Sequence, residues 1–407
     1  MIRILLKKRS NTIGLKVFLL FFSACLLQAT ESISQQWMVP IDSANNSILT
    51  NPHVQFEATE AIDDMYNFNF ERARSGFNAL KKQYGWHPLP YFLKGLSYWW
   101  QIIPNINDEQ YDELFLTTMD TSLVLAERLY EEVNPIEGAF FLAATHAFKS
   151  RLYSERRSYT KSAMAGRNTL KYLREVKGND DYSPEILFGD ALFNYYAVWI
   201  RENYPLLRPL MAFFPKGDKK LGIEQLKDVS ANAFYSRTEA QYFLMRILTT
   251  EENDLIGGKR VAEYLYNTYP NNSYFHRFYT RLLYQTGKYD QTIEESLKIL
   301  DRVDSLPGYE ANTARYASFY LGHINELKYN YDEARKYFDL CVFYSEQIGA
   351  LDKGYYFFSL LHIARIEEKN GNIGVAMDYY KKVKKITKKG SSANKQAKEA
   401  LKRLRKA

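Results

Sequence analysis

Apolar side chains recur every three or four residues along almost the whole chain, while strict alternation of apolar and polar residues is nearly absent. The first spacing places apolar residues on one face of a helix, whereas alternation would indicate a strand. Short breaks rich in Asn, Gly, Pro and Asp separate the helix-sized segments. These breaks lie at 67–69, 85–88, 134–135, 178–181, 270–272 and 371–372. The pattern predicts an all-α fold of about eight helix pairs and one final helix.

The chain also repeats itself with a fixed period. Thr292, Ala334 and Ala376 lie 42 residues apart, each shortly after a polar turn. A small residue that precedes an aromatic by four positions lets two helices approach, and the aromatic on the same face fills the gap to the next pair. This element occurs as Ala73-x3-Phe77, Ala262-x3-Tyr266, Ala334-x3-Phe338 and Ala376-x3-Tyr380.

Together with Leu321-Gly322, and with Tyr91, Gly95 and Tyr98 in an earlier segment, these elements resemble the tetratricopeptide repeat (TPR). The resemblance implies a TPR-like helical repeat solenoid, a right-handed αα-superhelix that forms one continuous array over residues 56–387. It also implies that the first helix of each pair lines a concave groove. Thr292-x3-Ser296 departs from the pattern, and the period of 42 exceeds the usual 34.

Residues 205–227 suggest a closer relative. A connector rich in Pro, Leu and Phe is followed by Gly-Asp-x-x-x-Gly-x-x-x-Leu at 217–226. This stretch is similar to long-period proteins of the inclusion-body-clearance and TPR-39-like type, which implies binding rather than catalysis. Prolines at 205, 209 and 215 argue against a regular amphipathic helix. We expect residues 204–216 to pack on the array; a membrane-surface or partner site is the alternative.

The first segment is typical of an export signal. Five Lys or Arg within residues 1–16 precede an apolar run of 11 residues at 17–27, against roughly 20 needed to span a bilayer. We predict a signal peptide over residues 1–34, cleaved after Ala29 or Ser34, and a linker over 35–55. An uncleaved anchor is one alternative. A second is a bacterial lipoprotein, because residues 22–25 resemble a lipobox that would make Cys25 the lipidated first residue.

The composition limits the possible roles of cysteine and shows that charge is unevenly distributed along the chain. Two Cys exclude a disulfide framework and a Cys-rich zinc module. Residues 381–407 carry a net charge of +11, and residues 35–380 carry −8. We predict a basic capping helix over 388–407, with a narrow apolar stripe of Ala393, Ala397, Ala400, Leu401 and Leu404. Binding of anionic lipid or an acidic protein is the alternative, and export argues against nucleic acid.

Motifs for catalysis are absent from the sequence. There is no phosphate-binding loop, no Gly-x-Ser-x-Gly elbow and no His-Glu-x-x-His helix. His323 and Glu326 share a helix face, but no further ligand completes a metal site nearby. Cys341 lies in an apolar setting that indicates a small buried side chain. We predict no catalytic residue, metal or cofactor.

The groove is the principal candidate site. When the last three helix pairs are aligned, basic and aromatic residues recur at equivalent places on the first helices. Such a stripe suits an acidic peptide or a peptide carboxyl terminus. The alternative is that Glu326 and Glu368 pair with His323 and Arg365. The predicted groove residues are Tyr274, Arg277, Arg281, Tyr316, Phe319, His323, Phe358, Leu361 and Arg365.

These features predict an exported, non-catalytic scaffold that binds a protein or peptide in the cell envelope, periplasmic or associated with the outer membrane. One alternative is an outer-membrane-attached lipoprotein that binds a glycan or nutrient, with Trp99-Trp100 as its aromatic platform. The other is a helical-toroid enzyme, which needs acidic residues that converge in a central pocket.

Overall fold

A computed structural model describes residues 47–179, 182–205, 208 and 215–405. The predicted signal peptide, Cys25 and residues 35–46 of the predicted linker lie outside this part of the chain. So do residues 206–207 and 209–214 of the apolar connector and the last two residues of the basic tail.

The described residues form seventeen α-helices and no strand, so the predicted all-α class is confirmed. Short 3-10 and π turns, at Ile103–Asn105 and Ile247–Glu251, continue two of the helices. The α-helices are α1 (Pro52–Tyr66), α2 (Phe70–Tyr84), α3 (Leu89–Ile102), α4 (Asp112–Glu132), α5 (Pro135–Glu155), α6 (Tyr159–Val176), α7 (Pro184–Asn203), α8 (Lys219–Asn232), α9 (Arg237–Arg246), α10 (Leu255–Thr268), α11 (Ser273–Gln285), α12 (Tyr289–Arg302), α13 (Ala311–Leu327), α14 (Tyr331–Gln347), α15 (Gly354–Lys369), α16 (Ile373–Ile386) and α17 (Ser392–Leu404).

In the described part of the chain, these helices make eight consecutive pairs followed by α17, as the pattern predicts. The described residues of every predicted break fall at a junction between helices. Several helices begin with a polar cap and a Pro, as at Asn134-Pro135 and Ser183-Pro184, where the cap side chain accepts from a backbone N–H of the first turn. Pro fits there because its missing N–H would have no partner inside the helix.

The chain divides into two compact units, Met1–Val261 and Ala262–Ala407, where the sequence analysis predicts one array over 56–387. In unit 1, the helices of each pair pack on each other from α1 to α8, and the first helices α1, α3 and α5 also pack in succession. Buried Glu185 on α7 binds the segment that leads into α9. Its carboxylate accepts hydrogen bonds from the backbone N–H groups of Phe234, Tyr235 and Ser236.

Unit 2 shows the repeat most clearly. The first helices α11, α13, α15 and α17 pack one on the next, and each of the first three also packs on its own second helix. Ala334 and Phe338 are both fully buried. A Cβ atom placed on Gly322 would lie 2.8 Å from the Phe338 ring, which explains the Leu-Gly pair. The fold is therefore a TPR-like helical repeat.

The 42-residue period has a direct structural basis. The second helices α12, α14 and α16 begin at Tyr289, Tyr331 and Ile373, which are 42 residues apart. Helices α13 and α14 each contain 17 residues, so the additional length lies in longer helices. The turn inside each pair holds a residue with left-handed φ at the equivalent place, namely Gly287 (73°), Tyr329 (64°) and Gly371 (79°).

The basic helix α17 lies against the end of unit 2. Ala393, Ala397 and Leu401 are buried in the core that includes α15 and α16. The guanidinium of Arg403 pairs with Glu368 of α15 at 2.7 Å. The charged residues of α17 therefore face outward while its small apolar stripe packs inward.

None of the helices in the described segments combines the length and the apolar character needed to cross a membrane. Cys341 is fully buried on α14, and burial raises the pKa of its thiol to about 11.

Candidate functional site: a basic and aromatic face of unit 2

The predicted groove residues lie on the three first helices of unit 2. Tyr274, Arg277 and Arg281 come from α11, and Tyr316 comes from α13. All four side chains are half-buried, so their outer edges reach solvent. We call these four residues and Arg315, described below, the arginine–tyrosine face.

Three predicted groove residues belong to the core. Leu361 is fully buried, and Phe319 and Phe358 are 8% and 7% exposed. All three pack in the apolar cluster around α13 to α17. The prediction is wrong for Leu361, because α15 lies between α14, α16 and α17 and buries most of its surface.

Two guanidinium groups flank the Tyr316 ring. The Cζ atom of Arg277 lies 5.4 Å from the centre of that ring, and the Cζ atom of Arg315 lies 4.6 Å from it. Arg277 also lies 5.3 Å from the centre of the Tyr274 ring. Burial lowers the pKa of Arg277, and the like charge of Arg315 contributes to the lowering. Aromatic faces attract such cations without neutralising their charge.

Arg315 is the functional candidate that the sequence analysis missed. It is 3% exposed and makes no ion pair with any described residue. Its Nε and Nη2 atoms donate to Asn312 and to the Tyr316 hydroxyl, but its buried Nη1 atom has no hydrogen-bond partner. The repeat alignment could not find it, because the positions 42 residues away hold Ser273 and Phe357.

His323 does not extend this positive charge. Its Nδ1 atom and the Tyr284 hydroxyl are 2.8 Å apart, and burial, followed by the charge of His362, lowers its pKa. The imidazole is therefore neutral at pH 7. Glu326 pairs with His362, whose Nδ1 atom lies 2.5 Å away, and not with His323. Within the described ranges, no group of three or more His, Cys, Asp or Glu residues could hold a metal ion.

Arg365, the last residue of the predicted basic stripe, contributes to the packing of α17. Its guanidinium donates to the Gln396 side chain at 2.5 Å. Glu368 binds Arg403 at 2.7 Å and accepts from the Tyr380 hydroxyl at 3.1 Å, instead of pairing with Arg365. The positive charge of the face therefore comes from Arg277, Arg281 and Arg315.

Trp99 and Trp100 of unit 1 are fully buried. They cannot form the exposed platform that the glycan-binding alternative needs. The carboxylate beside them is Glu239, which accepts from Trp100 at 2.8 Å and from Tyr66 at 3.4 Å.

No protein-family model matches the chain, and no curated protein matches it in sequence. Among solved structures, the chain is similar to human IFIT1 in a dimer with PPP-AAAA, with a TM-score of 0.41 and 14% identity over 77% of this chain and 68% of that chain. It is also similar to yeast Tom70, with a TM-score of 0.27 and 10% identity over 86% of this chain and 89% of that chain.

Proposed function

We propose that the protein is a non-catalytic scaffold of the TPR type that binds an acidic peptide, or a peptide carboxyl terminus, on the arginine–tyrosine face of unit 2. One observation carries this proposal: buried Arg315 has no ion-pair partner among the described residues and lies beside Arg277 around one tyrosine ring. A buried charge is costly unless it is paired. A carboxylate ligand would supply the missing negative charge.

The geometry suits a ligand that approaches from the solvent side. Arg277 and Arg281 are half-buried and are able to donate to carboxylate oxygens, whereas Arg315 lies deeper and adds positive potential. The rings of Tyr274 and Tyr316 offer apolar area next to the charges. Guanidinium groups bind carboxylates with paired hydrogen bonds, which gives both strength and orientation.

A peptide titration tests the proposal. The probe is a fluorescein-labelled decapeptide of alternating Glu and Phe, compared with its Gln and Phe counterpart by fluorescence anisotropy. We expect saturable binding of the acidic peptide only. Arg277→Gln should weaken that binding by roughly 10-fold or more, because a charge-assisted hydrogen bond is lost.

Lys336→Gln is the matched control, because Lys336 lies exposed on the second helix α14 of the same unit. It removes one positive charge and should leave the affinity unchanged. Equal binding of both peptides, or no effect of Arg277→Gln, would contradict the proposal. A reproducible turnover that a single substitution abolishes would overturn the non-catalytic assignment.

We further propose that this scaffold acts in the cell envelope after export. The support is the basic segment and short apolar run at the start of the sequence. The intact mass of the mature protein, measured after fractionation of the native cells, tests this. A lipidated Cys25 in the membrane fraction, or a new terminus after Ala29 or Ser34, would support export. A chain that retains Met1 in the cytoplasmic fraction would refute it, and Cys25→Ala separates the two supporting outcomes.

A further inference from the structure

The first helices of unit 1 bring a second group of arginine and aromatic side chains together. Trp99 comes from α3, Arg151 from α5, Tyr196 from α7, and Tyr242 and Arg246 from α9. This group is separate from the face in unit 2 and contains none of its residues.

Two arginines converge on one phenol oxygen. The Nη2 atom of Arg151 donates to the Tyr242 hydroxyl oxygen at 2.7 Å, and Nη1 of Arg246 donates to the same oxygen at 2.9 Å. Burial alone would raise the pKa of Tyr242, but the two guanidinium groups outweigh that effect and lower it. Two guanidinium groups are therefore held at one phenol oxygen, and the charge of Arg246 also acts on the nearby Glu251 carboxyl.

Arg151 lacks a counterion. It makes no ion pair with a described residue, and its Nη1 atom is buried without a hydrogen-bond partner. Its Cζ atom lies 4.6 Å from the Trp99 ring and 5.6 Å from the rings of Tyr242 and Phe243. The stacking positions the guanidinium, while one edge of its hydrogen-bonding fork has no acceptor. Buried polar atoms in folded proteins are normally satisfied, so an unpaired one indicates a missing partner.

Glu239 does not serve as that counterion. It is 3% exposed, and its Oε1 atom already accepts from Trp100 and Tyr66, while its Oε2 atom has no partner. Burial raises its pKa to about 7, and the Arg151 charge reduces this rise. No ion pair joins Glu239 to Arg151, so this buried carboxyl leaves the arginine fork open.

The surroundings of the two arginines are apolar. Phe188, Leu192 and Tyr196 of α7 and Phe243 of α9 are partly buried side chains that pack on the core of unit 1. The rings of Phe188 and Phe243 lie 5.9 Å apart. The charges of Arg246, Glu251 and Arg151 also act on the Tyr196 phenol, so Tyr196 lies near both guanidinium groups and near one carboxyl. Directly after Arg246 the backbone forms a π turn, an irregularity that is frequent at functional sites.

We propose that unit 1 contains a second binding site, on α5, α7 and α9, for a small organic carboxylate with an apolar body. Arg151 and Arg246 bind the carboxylate, and Phe188, Tyr196 and Phe243 contact the apolar body. Such a ligand would supply an acceptor for the Nη1 atom of Arg151 and would also contact the apolar side chains. A compact inorganic anion would supply the acceptor alone.

Calorimetry with decanoate tests the site, with decanol and decyltrimethylammonium as ligands that keep the apolar body and remove or reverse the charge. We expect saturable binding of decanoate only, with a change in tryptophan fluorescence because Trp99 lies under Arg151. Arg151→Gln should weaken binding roughly 10- to 100-fold. At pH 8, above the pKa of Glu239, Glu239→Gln removes a nearby negative charge and keeps the acceptor for Trp100, so it should bind decanoate equally well or more tightly.

Weaker binding by Arg151→Gln, without weaker binding by Glu239→Gln, distinguishes an anion site from a general structural effect. Lys336→Gln, at an exposed residue of unit 2 that belongs to neither candidate site, is the control for loss of one positive charge and should leave decanoate binding unchanged. Circular dichroism verifies the fold, and Arg246→Gln is the second variant if Arg151→Gln does not fold. Absence of decanoate binding, equal binding of decanol, or equal weakening by Arg151→Gln and Glu239→Gln would overturn the site. None of these outcomes depends on the peptide titration of unit 2.

Discussion

At the scale of single residues, two buried glutamates have pKa values shifted in opposite directions. Burial raises the pKa of Glu239 to about 7. Burial would also raise the pKa of Glu295, but hydrogen bonds from His276, Lys298 and Tyr266 outweigh it and lower that pKa to about 2. The balance between burial and the donors and charges around each carboxyl therefore determines which charge state the fold favours.

Glu239 gives a pH-dependent prediction. The folded protein keeps a proton on Glu239 between pH 4.5 and 7 that the unfolded chain has already released. The free energy of unfolding should therefore fall as the pH rises through this window, by roughly 3 kcal/mol from this residue. Glu239→Gln should remove that slope, as measured by urea unfolding at pH 4.5, 6 and 8.

Exposed Glu113 of α4 supplies the control, because Glu113→Gln removes a carboxylate in contact with solvent. Its unfolding free energy should follow the wild-type pH dependence. An unchanged slope in Glu239→Gln would show that the Glu239 carboxyl is ionised in the folded protein.

Glu295 gives the prediction of opposite sign. Its lowered pKa means that the folded state holds the ionised carboxylate more strongly than the unfolded chain does. This contribution is present above pH 4.5 and is lost as the pH falls toward 2. Glu295→Gln should therefore destabilise the protein at pH 7 and have much less effect near pH 2.5, as followed by thermal unfolding. A loss of equal size at both pH values would contradict this assignment.

At the scale of helices, the close contact between α13 and α14 explains the conserved spacing of the repeat elements within this chain. A methyl group on Gly322 would lie 2.8 Å from a ring carbon of Phe338, which is fully buried. We expect Gly322→Ala to lower the free energy of unfolding by about 1–3 kcal/mol, because the buried ring or the helices that hold it would have to shift. Chemical denaturation measures the change.

Gly374 of α16 is the matched control. A Cβ atom there would meet nothing within 4 Å. Gly374→Ala should raise the free energy of unfolding by up to about 1 kcal/mol, since Ala favours the helix over Gly. If both substitutions had the same effect, steric contact at Gly322 would not be the cause.

The turns inside the helix pairs give a second prediction at this scale. Tyr329 has φ of 64° at a place where Gly287 and Gly371 occur in the neighbouring pairs, and its side chain is 78% exposed. The left-handed conformation raises the free energy of a non-glycine residue by about 1–2 kcal/mol. Tyr329→Gly should therefore stabilise the protein by about 1 kcal/mol, and Gly371→Ala should destabilise it by a similar amount. Melting temperatures that shift in the same direction for both would disprove the argument.

At the scale of the whole molecule, the sequence predicts the architecture better than it predicts the site. Helix periodicity and turn residues are local signals, so the described chain shows the eight predicted pairs and the final helix. The burial of Leu361 and the unpaired Arg315 depend on which faces neighbouring helices cover. A repeat alignment finds residues that recur, and Arg315 occurs in one pair only. The sequence likewise contains no local signal that α5, α7 and α9 of unit 1 bring their side chains together.

Substitutions in the last helix, α17, test whether it closes the repeat of unit 2. Leu401 is 5% exposed and packs in the core that includes α15 and α16, whereas the neighbouring Lys402 faces solvent. Leu401→Asp places a charge in this core, which is costly, and it opens the end of the array to water. We expect a loss of about 3 kcal/mol or more in the free energy of unfolding and increased binding of an apolar dye.

Lys402→Asp is the control, because it introduces aspartate at the next position, which faces solvent. It should change the free energy of unfolding by less than about 1 kcal/mol. Because both variants carry the same new carboxylate on α17, a large loss confined to Leu401→Asp would assign the effect to burial of this one face, and equal losses would show that helix charge, rather than closure of the array, governs the stability of this end.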